Sequence, residues 1–285
     1  MKKIKSLISL LLAVSFITAP LSLLQACTDN STKDLVPVHS VQLPTDNEIQ
    51  TDTENIEQPT PTPEPEPEPE LPSVSYATYI KCPGNGVNIR SGAGTSYSAL
   101  GVAEKNTSYA VVGQSGNWYK TYYRGKTAYI YATYTAVFEM EESENEQIED
   151  VIKQGYKLIG VPYVYGAVRF HDGKGKLLAG FSAQKFDCSS LIQYIFYQGA
   201  GKILDVNTRT QVKQGKFVKR KDLQRGDCIF FTNESRQHLT GVERVGHVAL
   251  YLGDNYILHT ASDYARIEKM TASRWNFYIE ARRFI

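Results

Sequence analysis

Residues 246–262, GHVALYLGDNYILHTAS, place two short apolar runs on either side of a polar turn. This pattern predicts two antiparallel strands joined as a hairpin. If Gly253, Asp254 and Asn255 form the loop, the numbers of paired residues sum to 508. His247 and His259 then lie on the same face, where His259 can hydrogen-bond and orient His247. A two-residue loop would place the two histidines on opposite faces.

A cysteine stands at the start of a second decisive stretch, FDCSSLIQYIFY at residues 186–197. Its apolar residues recur at helical spacing, which predicts a helix over 189–198 with Cys188 at the N-terminal end. The helix dipole would favour a thiolate there, whereas the neighbouring Asp187 opposes it and is also a plausible N-cap. The local sequence leaves two roles open for Cys188, a buried inert residue and a nucleophile.

The histidines discriminate between these two roles. The chain has only five, of which His39 lies in a polar linker and His171 and His238 lie in polar loops. The remaining pair, His247 and His259, shares one face of an apolar hairpin. A cysteine with a base and a group that orients the base is the arrangement of nucleophilic catalysis. A buried structural histidine is the alternative for either residue.

Four stretches in one order, PYVYG, FDCSSLIQYIFY, DLQRGDCIFF and GHVALYLGDNYILHTAS, resemble the NlpC family of bacterial cell-wall cysteine peptidases. The resemblance covers roughly residues 145–285 and implies a papain-like fold. It implies that Cys188 is the nucleophile, that His247 is the general base and that His259 is the polar third member. Activity would then need the Cys188 thiolate together with a suitably protonated His247, which predicts an ionisation near neutral pH. No metal or organic cofactor is implied.

The same resemblance assigns three further residues to the site. Tyr163 matches a tyrosine that assists the oxyanion, and Asp187 and Ser189 match positions that receive the amino end of the peptide. Helix capping is an equally good reading of the last two residues. Three residues depart from the family pattern, namely Ala167, Ser190 and Cys228, and the loops at 168–185 and 232–245 are longer than usual. These departures concern the shape of the substrate groove.

The N-terminus predicts export. Lys2, Lys3 and Lys5 precede an apolar stretch from about residue 7 to 24, followed by LLQAC. This resembles the lipobox of bacterial lipoproteins, with a signal peptide over 1–26 and lipidation of Cys27. An uncleaved membrane anchor is the alternative. Residues 27–72 read as a disordered, acidic, Pro/Glu-rich linker that holds the rest of the chain away from a membrane.

Residues 73–138 alternate short β-type runs with turns, as at 115–117 and 124–126, which predicts a small all-β barrel. The segment resembles the bacterial SH3-type domain, and Trp118 is expected in its core. Tyr119 and Tyr122 are either core residues or a binding platform. Residues 139–150 are expected to be a linker leading into a helix with a capping box of Ser143 and Glu146. Packing of the SH3-like domain against the groove and mobility as a targeting module both remain open.

Helices followed by antiparallel strands predict an α+β catalytic domain over 139–285, with N-terminal helices packed on an antiparallel sheet behind the SH3-like barrel. With Cys27 assigned to lipidation, Cys82, Cys188 and Cys228 remain, so at least one thiol is free; a disulfide between Cys82 and Cys228 is possible by count.

Charge divides the chain into two contrasting regions. Residues 28–72 carry 11 acidic side chains and one basic side chain, whereas residues 151–285 carry 11 acidic and 21 basic side chains. The basic region suits an anionic partner. We expect peptidoglycan or muropeptides and a membrane contact through the lipid anchor, but no nucleic acid and no obligate protein partner.

Three functions follow from these features, all for an exported lipoprotein that is anchored to the membrane and faces the cell wall. The first is an endopeptidase that cuts stem peptides between D-γ-glutamate and the diamino acid. The second keeps the thiol chemistry but cuts another bond, as an N-acetylmuramoyl-L-alanine amidase or a cross-bridge peptidase. The third is a non-catalytic wall-binding lipoprotein, against which the intact set of Cys188, His247 and His259 argues.

Overall fold

A computed structural model describes residues 74–285. The predicted signal peptide and lipidation site at Cys27, His39 and the predicted acidic linker lie outside the described residues. The strands are β1 Tyr76–Lys81, β2 Val87–Arg90, β3 Ala99–Ala103, β4 Ser108–Ala110, β5 Gly113–Ser115, β6 Trp118–Tyr123, β7 Lys126–Tyr131, β8 Ala136–Glu141, β9 Lys216–Val218, β10 Cys228–Phe231, β11 His247–Gly253, β12 Tyr256–Ala261, β13 Tyr264–Lys269 and β14 Tyr278–Arg283. The helices are α1 Glu146–Lys157, α2 Cys188–Ala200, α3 Thr208–Gln211 and α4 Ala272–Asn276. Between residues 74 and 285 no helix is long and apolar enough to cross a membrane.

Helices packed on antiparallel strands confirm the α+β class. A nine-stranded sheet runs in the order β8-β1-β4-β13-β12-β11-β10-β14-β9, and a five-stranded sheet runs β3-β2-β7-β6-β5. The SH3-like segment therefore contributes to both sheets instead of closing on itself. Ser108 of β4 pairs with Ile267 of β13 and joins the two parts of the chain. This pairing covers strand edges that would otherwise be exposed.

The two predicted turns of the SH3-like segment are present. Arg124 and Gly125, between β6 and β7, both have positive φ (52° and 77°), as a tight hairpin turn requires. The expectation for Trp118 is wrong: its side chain is only partly buried and packs against Tyr131, with ring centroids 5.0 Å apart. Smaller residues such as Ile130 fill the core instead.

Helix α1 begins two residues later than a capping box at Ser143 would require. Asn145 is the N-cap, and its side chain accepts a hydrogen bond from the Gln147 N–H. The Ser143 N–H instead donates to the carboxylate of Glu149, 2.9 Å away. Strand β8 extends to Glu141, so the connection to the helix is shorter than the linker expected at 139–150.

A buried arginine connects the SH3-like segment to the rest of the molecule. The Arg225 guanidinium forms two hydrogen bonds with the Glu149 carboxylate, at 2.6 and 2.8 Å. It also donates to the hydroxyls of Tyr79 at 3.0 Å and Tyr156 at 3.1 Å, and to the Leu252 carbonyl at 2.8 Å. These partners lie on β1, α1 and β11. The SH3-like segment is thus packed firmly against the helices and sheet of the C-terminal part.

The register of the β11–β12 hairpin agrees with the prediction, but its loop does not. Leu250 pairs with Leu258 and Tyr251 with Ile257, so paired numbers sum to 508 as expected. The turn itself contains only Asp254 and Asn255, both at positive φ. The register shifts by one residue between Tyr251 and Gly253. This irregularity replaces the third loop residue and keeps both histidines on one face.

The three cysteines of the described part are all free and buried, so Cys82 and Cys228 form no disulfide. Cys228 lies in β10 and is fully buried. His171 corrects another expectation, because it is fully buried and not in a polar surface loop. Its Nδ1 accepts a hydrogen bond from the Gly173 N–H, and its ring packs near Phe170 and Tyr197.

Candidate active site

The first turn of α2 positions Cys188. Asp187 caps the helix by accepting a hydrogen bond from the Ser190 N–H at 2.9 Å, and the Ser190 hydroxyl accepts one from the Asp187 N–H at 2.9 Å. This reciprocal capping box explains a serine at position 190. Helix α2 ends at Gly201, whose φ of 62° allows the left-handed cap. The thiol is held at the helix N-terminus with 8% of the residue exposed.

Cys188 and His247 line the same cleft. It has a volume of about 740 Å³, and no described residue that lines it belongs to the SH3-like segment. His247 is the first residue of β11, and its Nε2 lies 2.9 Å from Nδ1 of His259 on β12. The structure thus brings together the cysteine and both predicted histidines. The SH3-like segment is fixed to the catalytic part without forming a wall of this cleft.

Glu268 completes a chain of polar contacts behind the histidines. Its Oε1 lies 3.2 Å from Nε2 of His259, which is an ion-pair contact and not a well-aligned hydrogen bond. Nη2 of Arg274 donates to the same oxygen at 2.6 Å. A carboxylate at this distance favours a proton on Nε2 of His259, so that Nδ1 accepts from Nε2–H of His247. Nδ1 of His247 is then left unprotonated as the base.

Burial determines the charge states of the resting site. Burial, together with the Asp187 charge, raises the pKa of the Cys188 thiol to about 12, although the N–H groups of Val248 and Ser189 and the Arg169 charge oppose the shift. Burial also lowers the pKa of His247 well below 6.5, and the neighbouring His259 and Arg274 act in the same direction. Both shifts favour the neutral forms, a thiol at Cys188 and an imidazole at His247, and oppose the thiolate that the helix dipole favours.

Glu268 and His259, which lie behind His247, differ from the resting pair because Glu268 is charged. Burial by itself would raise the pKa of the Glu268 carboxyl, but His259, Arg274 and Arg266 outweigh it and hold that pKa at about 2. Burial lowers the pKa of His259, against the effect of Glu268. Glu268 is therefore a permanent negative charge beside a neutral histidine, and it can stabilise a positive charge that develops during reaction.

Tyr163 lies in the cleft with Cys188 and His247. Its backbone N–H donates to the Asp263 carbonyl at 2.8 Å, which fixes the strand-like segment that carries it. Burial, with the nearby Cys188 and Asp187, raises the pKa of its hydroxyl to about 12. The hydroxyl is thus protonated and available as a hydrogen-bond donor, as an oxyanion contact requires.

Asp187 and Ser189 are buried, and the structure accounts for their polar atoms within the protein. Arg169 donates to the Asp187 carboxylate at 2.7 Å and to the Ser189 hydroxyl at 3.2 Å. The other carboxylate oxygen of Asp187 accepts from Ser190 N–H and from the Ser189 hydroxyl. Helix capping is therefore present, whereas reception of a peptide amino end by these two residues stays a prediction.

Sequence reasoning missed Glu268, Arg274 and Arg169. The alternation in YARIEK at residues 264–269 would have predicted β13. His259 pairs with Arg266 in that strand, and Glu268 follows two residues later on the same face. No comparable signal marks Arg169, because it lies in a long loop. Arg274 belongs to a helix of only five residues.

Comparison with known proteins agrees with this arrangement. Residues 160–283 match the NlpC/P60 family. The chain contains an NlpC/P60 domain. Residues 85–136 match the bacterial SH3 domain, so both modules inferred from the sequence are present. Cys188, His247 and His259 all lie within the NlpC/P60 match.

Several curated relatives share this domain with the chain. Peptidoglycan endopeptidase RipA of Mycolicibacterium smegmatis is 34% identical over 113 residues, which cover 40% of this chain and 21% of RipA. Gamma-D-glutamyl-L-lysine dipeptidyl-peptidase of Bacillus cereus is 29% identical over 140 residues, which cover 48% of this chain and 36% of the relative. The chain thus spans well under half the length of these two relatives.

Among solved structures, an NlpC/P60 family protein from Bacillus cereus is 21% identical. Its alignment covers 73% of this chain and 63% of that one, with a TM-score of 0.38.

Proposed function

We propose that this protein is a peptidoglycan hydrolase, a thiol endopeptidase that cleaves stem peptides between D-γ-glutamate and the diamino acid. The observation that carries the proposal is the shared cleft of Cys188 and His247, with His247 held at 2.9 Å by His259. This geometry lies inside an NlpC/P60 domain. A binding module would have no need for a base whose tautomer is set by a buried polar chain.

The names of the relatives support the choice of bond. Two of them are called gamma-D-glutamyl-L-lysine dipeptidyl-peptidases, and one from Bacillus licheniformis is called a peptidoglycan DL-endopeptidase. Gamma-DL-glutamyl hydrolase of Bacillus subtilis is a further relative, 28% identical over 148 residues. The reacting carbonyl in our proposal is likewise a γ-glutamyl carbonyl.

The chemistry begins from the neutral pair. As the Cys188 sulfur attacks the carbonyl carbon, its proton passes to Nδ1 of His247, and the carbonyl oxygen becomes an oxyanion. The imidazolium then gives this proton to the leaving amine, and the amide C–N bond breaks to leave a thioester. A water molecule that gives its proton to His247 attacks the thioester, and Cys188 leaves as a thiol with that proton. Glu268 stabilises the positive charge on the histidines while His247 holds the transferred proton.

The oxyanion needs donors that are not already used. Residues at the start of a helix have N–H groups without intrahelical acceptors, and Cys188 is the first residue of α2. Tyr163, which lines the same cleft, supplies a protonated hydroxyl. Each such donor typically contributes roughly 3–4 kcal/mol to the transition state.

The proposal includes the location of the enzyme and the limits of its domains. We place residues 1–26 in a lipoprotein signal peptide and Cys27 at the lipid anchor. Residues 27–72 form the linker, 73–138 the SH3-like domain and 139–285 the peptidase domain. The exported enzyme would face peptidoglycan while it remains attached to the membrane. The signal peptide, the anchor and the linker rest on the sequence features of the N-terminus, and the two domains rest on the family matches at 85–136 and 160–283.

Product analysis tests the cleaved bond. The purified protein is incubated with defined muropeptides and with intact sacculi, and the products are identified by mass spectrometry. We expect new D-γ-glutamyl carboxyl ends and free diamino-acid amines. Cleavage of the amide between muramic acid and L-alanine, or cutting of cross-bridges, would assign one of the alternative hydrolase activities. Absence of cleavage by the folded, reduced protein would favour a wall-binding role.

The pH dependence of kcat/KM should show one acidic limb. Because His247 accepts a proton only as a neutral imidazole, activity should fall as the pH drops through its lowered pKa, below 6.5. The Cys188 thiol, with a pKa of about 12, should add no inflection near neutrality. Steady-state rates on a soluble muropeptide measure this. A bell-shaped profile centred near neutral pH would instead indicate a thiolate–imidazolium resting pair.

Glu268→Gln should lower kcat by roughly 10- to 100-fold with a smaller change in KM, because a charge-assisted contact of about 1.5–3 kcal/mol is lost. The variant keeps the shape of the side chain but removes the negative charge that compensates the developing imidazolium. Glu280→Gln, which removes a similar surface carboxylate paired with Arg282, is the matched control. Equal kcat values for both variants would contradict a role for Glu268 in positioning and charge compensation.

A further inference from the structure

We propose that Arg274 binds the free α-carboxylate of the γ-linked glutamate and so selects substrates in which this group is not amidated. The inference rests on the proposed function, since it concerns recognition in the same cleft. Arg274 lies in α4 and lines the cleft together with Cys188, His247 and Tyr163.

Arg274 brings a permanent positive charge to this cleft. Among the described residues that line it, Arg274 is the one permanent cation and Glu234 the one carboxylate. The Arg274 side chain is 30% exposed, so it remains accessible from the cleft. It is also close enough to the base for its charge to contribute to the lowered pKa of His247. The positive charge therefore lies beside the reacting groups.

The guanidinium is oriented but not fully used. Its Nη2 donates to Oε1 of Glu268 at 2.6 Å, which fixes the plane of the group. A guanidinium has five N–H donors in a rigid fork, so donors remain on Nε and Nη1 after this contact. Those donors match the geometry of a second carboxylate. Arg274, already held by Glu268, can therefore donate to a second carboxylate that belongs to a ligand.

The proposed substrate carries a carboxylate in a suitable place. When glutamate is linked through its γ-carboxyl, its α-carboxylate stays free, three carbon atoms from the scissile carbonyl carbon. An amidated substrate has a neutral carboxamide at that position, whereas an α-linked glutamate keeps its side-chain carboxylate at the same separation. A cation near the reacting groups therefore distinguishes the free acid from the amidated substrate.

Binding to an inactivated full-length protein tests this directly. In a Cys188→Ala background, calorimetry compares two stem peptides that differ only in a free or an amidated α-carboxyl group. We expect the free acid to bind about 10- to 100-fold more tightly, the effect of a hydrogen bond to a charged group. Adding Arg274→Met should bring the ratio of the two dissociation constants close to one, and Arg274→Lys should retain part of it.

Two controls separate this contact from other effects. Glu268→Gln removes the support of Arg274 but leaves its charge, so a preference for the free acid should persist. Glu234→Gln changes the charge of the cleft without removing a carboxylate-binding donor, so the preference should persist there too. Equal affinity of the Cys188→Ala protein for both peptides, or an undiminished preference in the folded Arg274→Met variant, overturns the proposal.

Measuring cleavage and binding separately distinguishes failure of the hydrolase function from failure of the recognition by Arg274. If wild type cleaves neither peptide but the Cys188→Ala protein still discriminates between them through Arg274, the proposed hydrolase function fails and the recognition inference stands. If wild type cleaves both peptides with the same kcat/KM, and the binding ratio is one, the hydrolase stands and the inference fails.

Discussion

Cys188→Ala is expected to lower kcat/KM on muropeptides by about 10⁴-fold or more, the scale seen when a covalent nucleophile is removed. The other two thiols of residues 74–285 cannot replace it, because Cys82 and Cys228 are fully buried and neither lines the cleft. The change removes one sulfur atom from the end of a capped helix, so the fold should persist. Rates are measured by the release of free amine, and circular dichroism verifies folding.

Cys82→Ala is the matched control, since it removes a free buried thiol from the SH3-like segment and should leave the rate within a few-fold of wild type. Iodoacetamide adds an independent measurement. Alkylation should be slow, but Cys188, at 8% exposure, should react before the fully buried Cys82 and Cys228, with loss of activity in proportion. Retention of cleavage after complete alkylation of Cys188 would show that the reaction does not pass through this sulfur.

Arg225→Met should lower the free energy of unfolding by about 3–5 kcal/mol, the cost of breaking a buried ion pair by removing one partner. The substitution leaves the Glu149 carboxylate buried without its cation, and it removes donors to the hydroxyls of Tyr79 and Tyr156. Urea denaturation followed by tryptophan fluorescence measures the effect. In this variant the SH3-like and catalytic parts should unfold in separate transitions, because Arg225 no longer links them.

Arg282→Met is the control, because its partner Glu280 is partly exposed and such pairs contribute about 1 kcal/mol or less. A double variant, Arg225→Met with Glu149→Leu, should recover part of the loss by removing the stranded charge. Similar losses for Arg225→Met and Arg282→Met would show that the buried pair adds nothing beyond a surface contact.

The sequence predicted the parts of the site that depend on local pattern. The periodicity of residues 186–197 located α2 and its cap, and the alternation of residues 246–262 established the register that brings His247 to His259. The capping box of Ser143 and Glu146 was a wrong prediction, because the Ser143 N–H donates to Glu149 and helix α1 begins only after Asn145. Asn145 supplied the cap instead.

What the sequence could not predict depends on contacts between distant segments. Pairing of β4 with β13 joins residues more than 150 positions apart, and no local pattern encodes it. Arg225 lies inside the quoted stretch DLQRGDCIFF, yet its burial against Tyr79 and Glu149 follows only from tertiary packing. The neutral resting state of Cys188 likewise depends on burial, which outweighs the favourable helix end.

The protonated state of Cys188 also bears on how long the enzyme lasts. Peroxides and disulfides attack thiolates far faster than thiols, and an overoxidised cysteine is lost permanently. With a pKa of about 12 and 8% exposure, the sulfur offers these oxidants little to react with until substrate arrives. A nucleophile that becomes reactive only during attack can survive outside the cytoplasm, where no reducing system would repair it.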